Sequence, residues 1–432
     1  MTYLDATTSP VSVNCVYRPR IADTLLSEAM KTAGAVQVVG PKWCGKTTTA
    51  MQVARETLFL QDPDKRVSYQ QIANEKPSLL LRGEKPLLLD EWQDIPVLWD
   101  AVRFAVDREN ATGHYILTGS SVPSEKEIKH SGAGRFAKIT MRTMSLFESG
   151  DSNGAVSLKD IINHEDIYAR SAVSQEEVAA LIFRGGWPAS VTSDGGNGGQ
   201  RVRDYLEAII ESDISRVDGI EKNPKRVRLL MRSLARNEST EAAMTTLRSD
   251  MMTDEGELST NTIAIYLNAL RRLYVFEDQE AWATALRSKT AVRTSPIRRY
   301  CDPSVAAVLL GATPDKLLRD FNTMGFLFES LCIRDLRVYA ELLHASVFHY
   351  RDARGLECDA ILELDDGTWG AIEVKFGSNT EDQAARRLLT TKEEVSSRHG
   401  GKASFLLILT AGEMAYRRND GVYVVPLACL KP

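Results

Sequence analysis

Residues Ala35 to Val39 (AVQVV) form a short run rich in β-branched side chains, as in a buried parallel strand, and lead directly into Gly40-Pro41-Lys42-Trp43-Cys44-Gly45-Lys46-Thr47. A strand that runs at once into G-x-x-x-x-G-K-[ST] allows few architectures. It predicts a parallel α/β sheet whose strand ends in a phosphate-binding loop and opens a helix. The glycines let the backbone turn tightly and aim several N–H groups at phosphate, and the helix adds its positive N-terminal end. Gly40, Pro41, Lys42, Trp43, Cys44, Gly45, Lys46, Thr47 and Thr48 are therefore the expected nucleotide-binding set, with ATP as ligand. Lys46 is expected to reach the β- and γ-phosphates, and the Thr47 hydroxyl to bind Mg2+. The plain alternative is an ordinary glycine-containing turn.

Some 45 residues on, Pro86-Leu87-Leu88-Leu89-Asp90-Glu91 reads as an apolar strand closed by two acids. Asp90 is expected to hold magnesium through water, and Glu91 to polarise the water that attacks the γ-phosphate. A third strand, His114 to Leu117, ends in Thr118-Gly119-Ser120-Ser121. Thr118 or Ser120 can orient that water; small hydroxyl residues after a strand are equally often turn formers. Arg135, in Gly132-Ala133-Gly134-Arg135-Phe136, stands before a further strand, Ala137 to Met141.

At 432 residues, the chain is long enough for two to four domains. Its 43% hydrophobic and 26% charged residues leave little room for extended disorder. The apolar run Phe405 to Leu409 is far below the roughly 18 residues of a membrane helix. The N-terminus has Asp5 and no Lys or Arg before Arg18, unlike a signal peptide, so the expected location is cytoplasmic with no membrane partner. Cys15, Cys44, Cys301, Cys332, Cys358 and Cys429 are widely spaced, which predicts reduced thiols and no structural metal. A net charge of -5 argues against wholesale wrapping by nucleic acid but leaves local basic surfaces open.

Turn-rich stretches at 150–154 and 193–199 suggest joints, and apolar spacing between Leu206 and Leu247 predicts helices. Leu258 to Leu273 reads as a helix capped near Ser259, with Tyr274-Val275-Phe276 as a following strand. This resembles a winged helix-turn-helix, in which the first turn of such a helix faces the bases. Its flanks are basic: Lys222, Lys225, Arg226, Arg228, Arg232 and Arg236 on one side, Arg287, Lys289, Arg293, Arg298 and Arg299 on the other. DNA is the candidate partner. Solvated charged faces and winged helices that bind protein are the competing readings.

Toward the C-terminus the pattern predicts a helix around Gly325 to Leu336, strands Ser346–Tyr350, Glu357–Leu364 and Thr368–Phe376, a second helix from about Glu381, and a strand Phe405–Leu409. Asp366-Gly367 marks a hairpin turn between the two central strands. Alternation puts Glu373 and Lys375 on one side, where Asp359 can join them across the hairpin. With Glu329 on the preceding helix and Gln383 on the following one, the set resembles the D…E-x-K core of restriction-endonuclease-like folds. That resemblance implies magnesium held by Asp359 and Glu373, with Lys375 positioning water. The bland reading is an exposed Glu373–Lys375 ion pair.

Taken together, Tyr17-Arg18-Pro19-Arg20, the phosphate loop, Leu89-Asp90-Glu91, Leu117 to Ser121, Ala133-Gly134-Arg135, Gly185-Gly186-Trp187-Pro188 and Tyr205 to Asp213 resemble a widespread family of bacterial and archaeal predicted ATPases. Its members join an AAA-like domain to a C-terminal domain of unknown function, commonly with Phe where this chain has Trp187. The resemblance implies that Arg135 is an arginine finger entering a neighbour's site, hence a homo-oligomer; a salt bridge within the subunit is the equal alternative.

The expected α/β chain divides into an AAA-like ATPase domain at 1–150, with a parallel sheet flanked by helices, and a helical connection at 151–222. A winged-helix-like domain at 223–295 and a restriction-endonuclease-like α/β domain at 296–432 follow. The expected activity is Mg-dependent ATP hydrolysis acting on DNA. The rivals are an ATP-dependent regulator that binds DNA or a protein partner without cutting, and a protein-remodelling ATPase.

Overall fold

The computed structural model describes residues 17–121, 132–193, 198–252, 258–283, 295–352, 354–377, 380–399 and 403–432. Cys15, the core of the 193–199 stretch, and the basic residues Arg287, Lys289 and Arg293 lie outside them.

Five strands, β1 (Ala35–Val39), β2 (Glu56–Phe59), β3 (Leu87–Asp90), β4 (Tyr115–Gly119) and β5 (Phe136–Thr140), form one sheet in the order β2-β3-β4-β1-β5. All four pairings are parallel. The central strands are apolar almost throughout because helices cover both faces, as parallel sheets require. The C-terminal ends of β1, β3 and β4 therefore open on one edge, with Asp90 paired to Thr118 and Val38 paired to the same Thr118.

The segment expected to be a helical connection also contributes two short strands, β6 (Val156–Ser157) and β7 (Tyr168–Arg170). Strands of two and three residues carry too little alternation to be read from sequence. Helices Gln175–Arg184 and Gly198–Ala208 follow, the latter running into a π-helical turn, Ile209–Asp213, and then Ile214–Arg216. Helices Pro224–Arg236, Met244–Asp250 and Thr260–Arg272 come next. Ser259 caps the last of these by accepting from Thr262 N, and β8 (Phe276–Gln279) then pairs antiparallel with β9 (Ile297–Tyr300).

The helix expected near Gly325 is longer, Phe321–Leu342, with Asp320 as its cap. It leads into β10 (Ala345–Arg351), β11 (Glu357–Leu364), β12 (Trp369–Lys375), helix Glu381–His399, β13 (Ala403–Thr410), β14 (Met414–Arg417), β15 (Tyr423–Pro426) and β16 (Leu430–Lys431). The sheet order is β10-β11-β12-β13-β15-β14-β7, with an antiparallel β10–β11–β12 meander and a parallel β12–β13 crossover through the helix. The expected hairpin turn is present, with Gly367 at φ +80. β7 and β6 tie the middle of the chain to this region, through β14 and β16 respectively.

One apolar core runs from Ile21 and Leu146 through the middle helices to Leu430. Within it, buried Arg334 bridges Asp302 at 3.0 Å and Asp335 at 2.6 Å. Asp302 also accepts from Gly186 N and Thr143 Oγ1, and Asp335 from Leu146 N. With its partners filled, this triad fastens the end of the first domain to the long helix. The five described cysteines are free and buried. Among the described residues no helix is long and apolar enough to cross a membrane.

Candidate nucleotide site and a second carboxylate cluster

The loop after β1 is shaped by backbone conformations that glycine tolerates. Gly45 sits at φ +103, and a Cβ on Gly40 would fall 2.0 Å from the Met141 carbonyl oxygen. Lys46, 4% exposed, folds its ammonium back onto the Pro41 carbonyl at 2.8 Å. Cys44 is packed under the loop, its thiol 3.6 Å from Met141 O. Arg20, from the Tyr17-Arg18-Pro19-Arg20 stretch, supports the same loop: it donates to Cys44 O at 2.9 Å and pairs with Glu148 at 3.1 Å.

The loop and the acid pair meet. Thr47 Oγ1 donates to Asp90 Oδ1 at 2.6 Å, and Thr118 Oγ1 donates to the same oxygen at 2.7 Å. Burial raises the Asp90 pKa, while those two hydroxyls and Lys46 pull it back. Glu91, at φ +56, accepts from Ser120 Oγ at 2.8 Å, from Ser120 N at 3.2 Å and from Gln93 Nε2. Thr118 is thus engaged with Asp90, and Ser120 is the hydroxyl beside Glu91.

Thr47 and Glu91 line a cleft of about 670 Å3, with Lys42, Trp43, Gly45, Lys46 and Thr48 on the same side. Its other wall is Trp187 to Ser190, Arg201, Asp204 and Tyr205. Tyr205 packs between Trp187, centroids 4.7 Å apart, and the exposed Trp43 at 5.6 Å. The motifs Gly185-Gly186-Trp187-Pro188 and Tyr205 to Asp213 carry no residue type that by itself marks this second wall. Among the described residues there is no cluster of three or more His, Cys, Asp or Glu that could hold a metal by protein ligands alone. Thr47 and Asp90 are the donors available here, a set suited to magnesium, which keeps waters and takes phosphate oxygens as further ligands.

Arg135 is not in this cleft. It precedes β5 at the end of the sheet opposite the loop, where its Nε donates to Asp107 at 2.8 Å and its guanidinium reaches Ala133 O at 3.0 Å. Within this chain it is the intramolecular ion pair.

In the C-terminal sheet Asp359, Glu373 and Lys375 converge. The Lys375 ammonium lies 2.7 Å from Glu373 and 3.5 Å from Asp359, and Asp359 Oδ2 also accepts from Val374 N at 2.7 Å. Glu373 is fully buried, its Oε1 has no partner, and burial drives its pKa up. Glu329 is close enough to Asp359 for the two charges to interact, but its carboxylate is held by buried Arg299 at 2.6 Å. Gln383 is exposed on the helix Glu381–His399.

The basic stretches are largely answered by acids the fold brings to them. Lys222 pairs with Asp218, Arg228 with Glu207, Arg236 with Asp250 and Arg271 with Asp278. Arg298 and Arg299 are buried, the first against Ala242 O. Lys225 and Arg232 remain exposed.

Residues 32–149 match the family model of an AAA domain, 175–316 a domain of unknown function (DUF8612), and 324–430 a second domain of unknown function (DUF4143). The uncharacterized proteins Rv2008c of Mycobacterium tuberculosis and Mb2031c of Mycobacterium bovis are each 24% identical to this chain over 429 residues, covering 98% of it and 86% of their own length. A Walker-type ATPase of Pyrococcus abyssi superposes with a TM-score of 0.41 at 11% identity, over 66% of this chain and 94% of its own. The N-terminal unit is an AAA-like P-loop domain.

Proposed function

We propose that this chain is a magnesium-dependent ATPase of the AAA type that works in the cytoplasm, with residues 1–150 as its motor. The observation that carries the reading is that Asp90 accepts from both Thr47 and Thr118, while Thr47 itself lines one cleft with Lys46 and Glu91. Lys46 binds phosphate oxygens, Thr47 and Asp90 hold the cation, and Glu91, steadied by Ser120, orients the attacking water. The cation, when bound, neutralises charge on the phosphate oxygens. Thr118 acts through Asp90. The test is ATP turnover in magnesium, with and without single-stranded, duplex and branched DNA. Turnover supports the motor, and stimulation by DNA that fades with salt supports DNA as its substrate.

The orphaned Glu373 Oε1 beside Asp359 and Lys375 favours a second reading, a nuclease-like domain at 296–432 that takes magnesium through Asp359 and Glu373. In this reading residues 151–222 connect the motor to a winged-helix unit at 223–295. Its support is the capped helix Thr260–Arg272 followed by the β8–β9 pair, with Lys225 and Arg232 as cations for phosphate. A DNA- or protein-binding regulator with a retired nuclease fold, or a remodelling ATPase, is the outcome if no DNA is cut. The homo-oligomer rests on Arg135 acting in trans, which requires it to exchange Asp107 for a neighbour's nucleotide.

A further inference from the structure

Besides Lys46, the phosphate loop carries one more cation, Lys42. Its ammonium lies 2.8 Å from Asp213 Oδ1, across 171 residues of sequence. The two ends of this ion pair differ. Asp213 is 7% exposed and ends the π-helical turn Ile209–Asp213, whereas the Lys42 side chain is 41% exposed and has room to move. π-helical turns are rare, occur mostly as single-turn bulges inside α-helices, and are frequent at functional sites. Lys42 lines the same cleft as Glu91, and with Arg216 it also acts electrostatically on Asp94, three residues after Glu91. In phosphate loops the group that activates water stands beside the terminal phosphate. Lys42 thus shares with Glu91 the cleft that a terminal phosphate would enter.

The geometry points to Lys42 as the residue that distinguishes a triphosphate from a diphosphate in this cleft, with Asp213 as the positioning residue that competes with the terminal phosphate for its ammonium. This rests on the nucleotide-binding reading above. A partly exposed lysine–carboxylate pair is a weak bond, and a terminal phosphate offers a denser charge and more acceptor oxygens. Transfer of the ammonium from Asp213 to that phosphate loosens the one loop-to-turn ion pair described between them. The turn continues the helix that carries Arg201, Asp204 and Tyr205, which line the opposite wall. The state of the terminal phosphate is thereby felt by the middle of the chain.

The experiment is calorimetric binding of ADP and of the β,γ-imido analogue of ATP to the full chain and its variants, in magnesium. The parent prefers the triphosphate. Lys42→Ala lowers the triphosphate-to-diphosphate preference by about tenfold or more, the loss of one charge-assisted contact, and Lys42→Arg retains it. Asp213→Asn raises the preference severalfold by removing the competitor, and Lys42→Ala combined with Asp213→Asn matches Lys42→Ala alone, because Asp213 acts only through Lys42. A parent without preference, Asp213→Asn affecting both nucleotides equally or neither, or additive variants would overturn the inference. A parent that binds neither nucleotide overturns the nucleotide reading itself; binding with an unmoved preference removes only Lys42 and Asp213 from this role.

Discussion

The hydroxyl of Thr47 lies 2.6 Å from the carboxylate of Asp90, a residue 43 positions later in the chain. The contact joins the first turn after the phosphate loop to the end of a strand two places along the sheet, and it puts together a hydroxyl and a carboxylate, the donor pair that the proposed magnesium would use. Asp90→Asn keeps an oxygen for the two threonine hydroxyls and loses the charge. The magnesium concentration for half-maximal ATP turnover should rise by roughly tenfold or more, and chelating magnesium should weaken ATP binding far less in the variant than in the parent. Metal titrations of the two proteins check this; superimposable curves would remove Asp90 from the metal site.

Gly40 is where the loop passes closest to its support. An alanine there would drive a methyl group to 2.0 Å from Met141 O, with no flexible side chain to yield. Gly40→Ala should cost roughly 1–3 kcal/mol of stability and weaken nucleotide binding by at least about tenfold. Gly325 is the contrast, because its Cβ would meet nothing within 4 Å in the helix Phe321–Leu342. Gly325→Ala should stabilise the chain by about 0.5–1 kcal/mol. Urea denaturation of both variants separates the two cases, and a stabilised Gly40→Ala would contradict the packing described.

Glu238 is buried, accepts hydrogen bonds from Tyr300 N and from Ser330 Oγ, and has its pKa raised from 4.5 to about 7 by burial, with Ser330 and Arg299 opposing. A carboxyl whose folded pKa lies above its unfolded value stabilises fully below the unfolded pKa and loses that contribution as pH rises through the folded one. The parent should therefore lose stability at this site between about pH 4.5 and about pH 7. Glu238→Gln, neutral throughout, should gain on the parent by roughly 1–3 kcal/mol across that window. Denaturation at the two ends of the window measures the difference, and parallel pH profiles would rule out the protonated buried acid.

The Lys375 ammonium between Asp359 and Glu373 gives the nuclease reading its chemistry. With magnesium or manganese the purified chain should nick or cleave DNA, and Asp359→Ala or Lys375→Ala should abolish cleavage, on the order of a hundredfold or more, while ATP turnover persists. Cleavage surviving in both variants would mark a contaminant. No cleavage of linear, branched or single-stranded DNA would leave a fold kept for binding.

What the sequence made legible was local. The strand and loop at 35–47 and the apolar strand ending at Asp90 each carry their signal within a dozen residues, so the meeting of Thr47 with Asp90 follows from motif order. The convergence of Asp359, Glu373 and Lys375 could be read because a hairpin turn fixes which residues face each other across it. The far wall of the cleft could not: Trp187, Arg201 and Tyr205 arrive from well over a hundred residues away, and no spacing rule relates them to the loop. The same holds for charge. Arg228, Arg236 and Arg271 look unopposed along the chain, yet Glu207, Asp250 and Asp278 stand against them in space. Arg299, basic in sequence beside the Thr260–Arg272 helix, is buried on β9 holding Glu329. For Arg135 the sequence allows both a finger in trans and an ion pair within the chain, and its contact with Asp107 is the intramolecular one.

The most direct test of the central claim is steady-state ATP turnover by the parent, Lys46→Ala and Glu91→Gln in magnesium, each paired with a nucleotide-binding measurement. The account predicts measurable turnover in the parent, weakened binding in Lys46→Ala, and in Glu91→Gln retained binding with turnover reduced on the order of a hundredfold or more. Equal turnover in all three proteins would contradict it.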